Sequence, residues 1–398
     1  MIKKIFKAIV KSTIGIALII GLLYGGFHLW EYSTGGKYID YLSENSETVP
    51  IGESFSFKML DQDIKDNQLI MVGEIHGFEE PQKFDYNLFT HLNAKHNVKQ
   101  YYAELDFVQA QTINQYLENG DEKLLKNALN KWAVLQGRNN KDYYDKYRKL
   151  YQYNQKLAEQ DKFKFIGIDK LQDIHLTLSY LNALDSSFAV ELQDKVDLKA
   201  ILSQIKQLDS IYSHSPDTLF ALNHIKNNLN YYAEKTNREK VMFENFSALY
   251  KKSNNGTEKA YAYFGLYHVF QYQVNGNQPL ASQIRMSDLG LDNSILSMNF
   301  LMQDSYMIMP SNQLPEFMQD SGKYTKMPIS SDVMLFMYIY GIKDFKRMTD
   351  ENHKSLVKMN ADNSPYSNSN RMNKTIQLLP VADKFEFNEK GKPYVQYT

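Results

Sequence analysis

Four short apolar runs in this chain end in residues able to move protons. Leu69-Ile70-Met71-Val72 passes into Gly73-Glu74-Ile75-His76-Gly77, and Tyr101-Tyr102-Ala103 into Glu104-Leu105-Asp106. Gly167-Ile168 passes into Asp169-Lys170, and Tyr261-Ala262-Tyr263-Phe264 into Gly265-Leu266-Tyr267-His268. Glu74 and His76 stand at i and i+2, so in extended backbone they face the same side. A carboxylate beside an imidazole orients the ring and stabilises its protonated form, as a general base that deprotonates water requires. The flanking Gly73 and Gly77 permit close approach of backbone or ligand.

Glu104 needs a partner, because a carboxylate at a buried strand end costs several kcal/mol to desolvate. Arg148, Lys170 and Arg238 are the candidate cations. Asp106 raises the same question, and Asp169 suits either orienting His76 or capping the helix that follows. Arg238, with Met242 and Asn245 on one face of a helical segment, suits bidentate binding of a substrate carboxylate or an active-site acid. The plain alternatives are a helix-start histidine for His76 and ordinary ion pairs for Glu104 and Arg238. Together Glu74, His76, Glu104 and His268 form a cluster that could hold a divalent metal or run acid–base chemistry without one, and spacing leaves both open. The sequence has no H-E-x-x-H motif, no G-x-S-x-G elbow and no G-x-x-x-x-G-K-[ST] phosphate loop.

These strand ends need a sheet to bring them together. The strand candidates are Gln68 to Gly73, Lys99 to Leu105, Phe163 to Ile168 and Lys259 to Phe264. They alternate with segments of helical period, which implies a mainly parallel central sheet flanked by helices, an α/β fold. Open parallel sheets bind ligands beyond the carboxyl ends of their strands. Leu176 to Leu249 has helical spacing and no strand, so we expect a helical insertion there, near 176–249. Ile295 to Leu301, Tyr306 to Met309 and Val333 to Tyr340 read as further strands, and Met359 to Asn373 as loop. The 29 tyrosines are spread along the chain and read as amphipathic packing residues.

The 398 residues, 43% apolar and 23% charged, make a globular composition and exclude a disordered or fibrous chain. A formal charge of -1 offers no basic field for nucleic acid, so none is expected as partner. The absence of cysteine excludes disulfides, thiolate metal sites and a cysteine nucleophile. Lys3, Lys4, Lys7 and Lys11 precede an uncharged stretch from Ser12 to Trp30, which reads as a transmembrane helix with the lysines held on the cytoplasmic side. Residues 1–30 are then a membrane anchor or signal, 31–66 a polar spacer, and 67–398 the folded domain. The alternative is a secreted or periplasmic protein after signal cleavage.

The ordered series resembles the erythromycin esterase family and its wider superfamily, which includes TIKI-type metalloproteases and haem-binding iron-regulated lipoproteins. It covers about Gln68 to Arg285. The series comprises Gly73-Glu74-Ile75-His76-Gly77, Glu104, Arg148 with Tyr153-Asn154, and Phe165-Ile166-Gly167-Ile168-Asp169. It continues with Arg238, Met242 and Asn245, then His268, then Leu280-Ala281-Ser282-Gln283-Ile284-Arg285. The resemblance implies an α/β core and a cleft where His76 is the base, Glu74 and Glu104 its acidic partners, His268 the second imidazole and Arg238 an orienting cation. Asp106 and Asp169 would support them. One departure is that erythromycin esterases commonly place two residues between the first glutamate and histidine, where this chain has only Ile75, a spacing nearer the haem-binding and other divergent branches. The resulting expectation is a membrane-anchored, outward-facing hydrolase of an ester, lactone or amide in a small-molecule or peptide substrate. A non-catalytic haem- or ligand-binding envelope protein and a metal-dependent peptidase are the alternatives. The cofactor stays open between none, haem and a divalent metal held by Glu74, His76, Glu104 and His268.

Overall fold

A run such as Leu69-Ile70-Met71-Val72 has no polar face to show water, so a stable fold must cover both of its sides. The computed structural model describes residues 2–132, 140–188, 197–253, 258–334, 337–378, 387 and 394–398. The chain divides into two compact units, the second comprising Ser54–Ile329 with Phe387 and the C-terminal Tyr394–Thr398. The first opens with α1 (Ile2–Ser33), α2 (Gly36–Glu44) and β1 (Ser46–Pro50).

The second unit begins with α3 (Lys58–Asp66), β2 (Leu69–Glu74), α4 (Glu79–His96) and β3 (Gln100–Ala103). It continues through α5 (Phe107–Asn119), α6 (Glu122–Trp132), α7 (Lys141–Asn154), β4 (Lys164–Gly167) and α8 (Ile174–Leu184). Then come α9 (Leu198–Ile211), α10 (Pro216–Glu234), α11 (Arg238–Ser253), β5 (Ala260–Gly265), α12 (Leu280–Arg285) and β6 (Ile295–Asn299), before a hairpin of β7 (Ser305–Pro310) and β8 (Tyr324–Ile329). The chain returns to the first unit for β9 (Asp332–Val333), β10 (Met337–Ile339), α13 (Ile342–Met348), β11 (His353–Val357) and β12 (Thr375–Ile376).

Five parallel strands run in the order β4-β3-β5-β2-β6. Every residue of β2 is buried, as the apolar run demands. Because β5 is inserted between β2 and β3, the segment leaving it emerges between the loops that follow those two strands. The register sets the levels: Glu74 lies opposite Gly265, and Ala103 lies opposite Tyr263 and Gly167. Three loops therefore leave the sheet side by side at its carboxyl end.

One face of the sheet carries tyrosine hydroxyls rather than a purely apolar surface. Tyr261 and Tyr263, at i and i+2 of β5, point the same way. Tyr261 donates to Asp85 of α4 at 2.7 Å, and Tyr101 of β3 donates to the same carboxylate at 2.5 Å. Lys146 of α7 pairs with Asp85 at 2.7 Å, and both side chains are buried. Burial pushes the Asp85 carboxyl up from its ordinary value, while Lys146 and the two tyrosines oppose that shift. Helices α8, α9 and α10 of the insertion share an apolar cluster with Val108 of α5, with Leu178, Leu181, Ile201, Ile205, Leu222 and Leu229 among its members.

In the first unit, β1 pairs with β11 and β10 lies between β9 and β12, all antiparallel. Val10–Ser33 of α1, with mean hydropathy 1.7, is long and apolar enough to cross a membrane or to serve as a signal sequence. Its last turn is tied into the unit. Buried Glu31 accepts from the Tyr338 hydroxyl and from Gly341 N at 2.8 Å. Arg371 donates to the Glu31 carbonyl at 2.7 Å and pairs with buried Asp344.

The spacer expected at 31–66 is instead structured. Tyr38, Tyr41 and Leu42 are the buried residues of α2, and Leu60 and Ile64 those of α3, a spacing that its polar composition masked. The domain expected from Asn67 onward begins earlier, at Ser54, and its tail after Ile329 belongs largely to the other unit. Of the run Val333 to Tyr340, β9 and β10 are strands, while 335–336 lie outside the described residues.

Removing Lys146 leaves Asp85 as an uncompensated buried charge. Lys146→Met should therefore destabilise the second unit by ~3–5 kcal/mol, read as a lower midpoint in urea denaturation.

Candidate active site

His76 leaves β2 just before a turn at Gly77, where φ is +90° and an added Cβ would lie 2.7 Å from the Ile308 carbonyl oxygen. That turn and the extended residues before it bring His76 Nδ1 back to Glu74 Oε1 at 2.8 Å. Glu74 is 3% exposed and accepts from three further side chains. Tyr143 of α7 donates to Oε1 at 2.7 Å, Tyr263 of β5 donates to Oε2 at 2.8 Å, and Gln82 of α4 donates to Oε2 as well. A carboxylate held from three elements cannot rotate freely, so the ring bonded to it is held too.

Glu104, one residue past β3 and 5% exposed, lies between two imidazoles. Its Oε2 is 3.8 Å from His76 Nε2, and its Oε1 is 3.8 Å from His268 Nε2. These are ion-pair separations, longer than a hydrogen bond. Gly265 N donates to Oε2 at 2.6 Å, a close approach that a side chain at 265 would crowd, since a Cβ there would stand 3.3 Å from both Glu104 and His76. Arg238, the first residue of α11, donates to Oε1 of Glu104 and also grips Asp169 through Nε at 2.9 Å and Nη2 at 2.5 Å. A cavity of about 30 Å³ beside the cluster is lined by Glu74, Glu104, Tyr143, Lys146, Tyr147 and Tyr263, room for one or two waters.

His268 is buried and has a carboxylate of its own. Glu239 Oε1 lies 2.8 Å from His268 Nδ1, and Glu239 Oε2 accepts from Leu280 N at 2.9 Å. Burial alone would push the ring's pKa down. The bond to Glu239 and the charges of Glu239 and Glu104 outweigh burial and hold the pKa above its ordinary value, while Arg238 works against them. Each imidazole thus has Nδ1 on a private carboxylate and Nε2 turned towards a shared one.

The sequence-derived residues Glu74, His76, Glu104, His268 and Arg238 are brought together here. Asp169 lies behind Arg238, where it also accepts from Lys170 N at 2.8 Å and from Gln172, and no bond joins it to His76 among the described contacts. Asp106 is spent on backbone: it caps α5 through Gln109 N and accepts Gln172 N and Asp173 N at 2.9 and 3.1 Å. Burial raises its carboxyl to about 6, with those N–H groups opposing and Asp169 adding to the rise. Arg148, offered as a partner for Glu104, pairs with Glu122 at the surface. Sequence reasoning missed Glu239, Tyr143, Tyr263 and Gln82. The one signal for Glu239 was its place beside Arg238 at a helix start.

As a metal centre the cluster fits poorly. Arg238 already places a cation on Glu104. Among the described residues, the His/carboxylate group whose ligand atoms converge is a different one.

The folded His268 pKa exceeds its unfolded value of about 6.5. Its stabilising contribution is therefore complete below about pH 6.5 and lost as pH rises through the folded value. Glu239→Gln should lower the His268 pKa and move that loss to lower pH, as ring NMR titration and stability measured against pH would show.

No protein-family model and no curated protein sequence matches this chain. Solved structures do. A Bacillus cereus protein superposes with a TM-score of 0.62 at 12% identity, covering 92% of this chain and 96% of its own. A succinoglycan biosynthesis protein gives 0.58 at 15%, covering 86% and 90%. A mutant of the erythromycin esterase EreC in its open conformation gives 0.52 at 11%, covering 86% and 94%. Likenesses this low in identity show a shared fold and nothing finer.

Proposed function

We propose that this chain is a membrane-anchored hydrolase that cleaves an ester, lactone or amide with water activated by His76. The observation that carries this reading is a pair of imidazoles, each backed by its own carboxylate, on opposite oxygens of Glu104. With Nδ1–H donated to Glu74, His76 is left with Nε2 as its basic nitrogen, directed towards Glu104. A water between Nε2 and Oε2 would give up a proton to His76 as its oxygen adds to the carbonyl carbon.

His268 suits the opposite task. A ring whose protonated form is favoured by Glu239 can donate from Nε2 to the oxyanion that forms, and Arg238 adds a fixed positive charge nearby. When the tetrahedral intermediate collapses, the leaving alkoxide or amine takes the proton that His76 accepted. Environments that differ around two similar groups are how one site supplies both a base and an acid. The fold likeness to an erythromycin esterase supports the hydrolytic class.

His76→Ala should lower kcat/KM against a panel of activated esters, lactones and amides by about 10²–10⁴-fold. Glu74→Gln should lower it in the same direction, with circular dichroism unchanged in both. Full turnover in both variants would overturn the mechanism.

We also read α1 as a retained anchor with the rest of the chain across the membrane. Support comes from the leading lysines and from Glu31, whose buried bonds make the end of α1 part of the first unit. The full-length mass should be found in washed membranes, and external protease should digest the protein in intact cells or spheroplasts. A soluble, shortened product would contradict an anchor.

A further inference from the structure

A second group of ionisable side chains lies in the same unit, apart from the cluster around Glu104. Asp61 of α3 faces two histidines of α4. His91 Nε2 is 2.7 Å from Asp61 Oδ1, and His96 Nε2 is 3.2 Å from the same oxygen. The three ligand atoms all lie within 4.8 Å of one another. The side chains of His91 and His96 are 11% and 8% exposed and that of Asp61 is 26% exposed, so the group is walled on one side and open to solvent on the other. Phe57 packs on His91 with ring centroids 5.3 Å apart, fixing that ring's plane.

We propose that Asp61, His91 and His96 bind a divalent cation of the zinc type, with solvent completing the coordination. Two imidazole nitrogens and one carboxylate oxygen are a borderline donor set, which suits zinc and its neighbours and not the all-oxygen preference of calcium or magnesium. Both rings present Nε2 to one point, so a cation needs little side-chain movement to sit among all three. The nearby cation, Lys95, contacts the other oxygen, Oδ2, at 3.5 Å, and its side chain is 54% exposed and free to withdraw.

The placement suggests a fastening role. Helix α3 leads into β2 and α4 follows it, so a cation joining Asp61 to His91 closes the chain around the strand that delivers Glu74 and His76. The site is separate from the cluster around Glu104: His91 is nine residues beyond Gln82, which bonds Glu74, about 13 Å along the helix. Pairing at i and i+5 also explains why no H-x-x-x-H pattern announces it.

The test uses full-length protein in detergent, stripped with chelator and titrated with cobalt(II), then with zinc in competition. The expected result is one equivalent of cobalt with the intense visible absorption of tetrahedral coordination, displaced by zinc, with the second unit melting at higher temperature. That uptake should persist in His76→Ala and weaken more than about tenfold in His91→Ala and Asp61→Asn. Either of two results overturns the proposal: no cobalt or zinc uptake by the wild-type chain, or uptake undiminished in His91→Ala and Asp61→Asn. Because the wild-type titration decides on its own, a variant that fails to fold does not rescue the idea.

Discussion

A carboxylate at a buried strand end must be matched by fixed charge and hydrogen bonds, and Glu104 is where this chain meets that demand. Its oxygens take the Gly265 amide from β5 and the Arg238 guanidinium from α11, and they face the rings that follow β2 and β5. Groups from three elements, β2, β5 and α11, thus converge on one side chain. Removing that charge would leave Arg238 and two imidazoles facing one another with only outer carboxylates to offset them, a larger loss than any single surface ion pair represents.

The arrangement around Glu104 is nearly symmetric in connectivity but not in setting. Glu74 is held by Tyr143, Tyr263 and Gln82, all fixed on regular elements, whereas Glu239 is held by the Leu280 amide. His76 is the more exposed ring and His268 the more buried one. Two identical side chains in different surroundings can serve different proton-transfer roles, and the parallel sheet makes that possible by delivering both to one level.

Much of the fold and part of the site could be read in the sequence. Apolar runs that stop at Glu74, Glu104 and His268 reveal strand ends, because a parallel strand buried on both faces tolerates ionisable groups only where it leaves the sheet. Glu239 was hidden because it comes from a helix, and helix-borne acids are usually solvated. Tyr143 and Tyr263 were read as packing residues; their rings do pack, but their hydroxyls hold Glu74. Asp106 lay in the right stretch of chain yet turned to backbone, since a cap is satisfied locally and the site is not. The order of strands, with β5 between β2 and β3, is a long-range choice that no local pattern encodes. The first unit was invisible for a similar reason: it joins residues before Glu53 to residues after Ser330.

The central claim is that His76 and His268 work as one device through Glu104. A kinetic double-mutant cycle tests it most directly, comparing kcat/KM for the wild type, His76→Ala, His268→Ala and the double variant on the best ester of the panel. The account predicts that the double variant is hardly slower than the slower single one, as for residues acting as a unit. Losses that simply multiply would mean two independent groups and would contradict it.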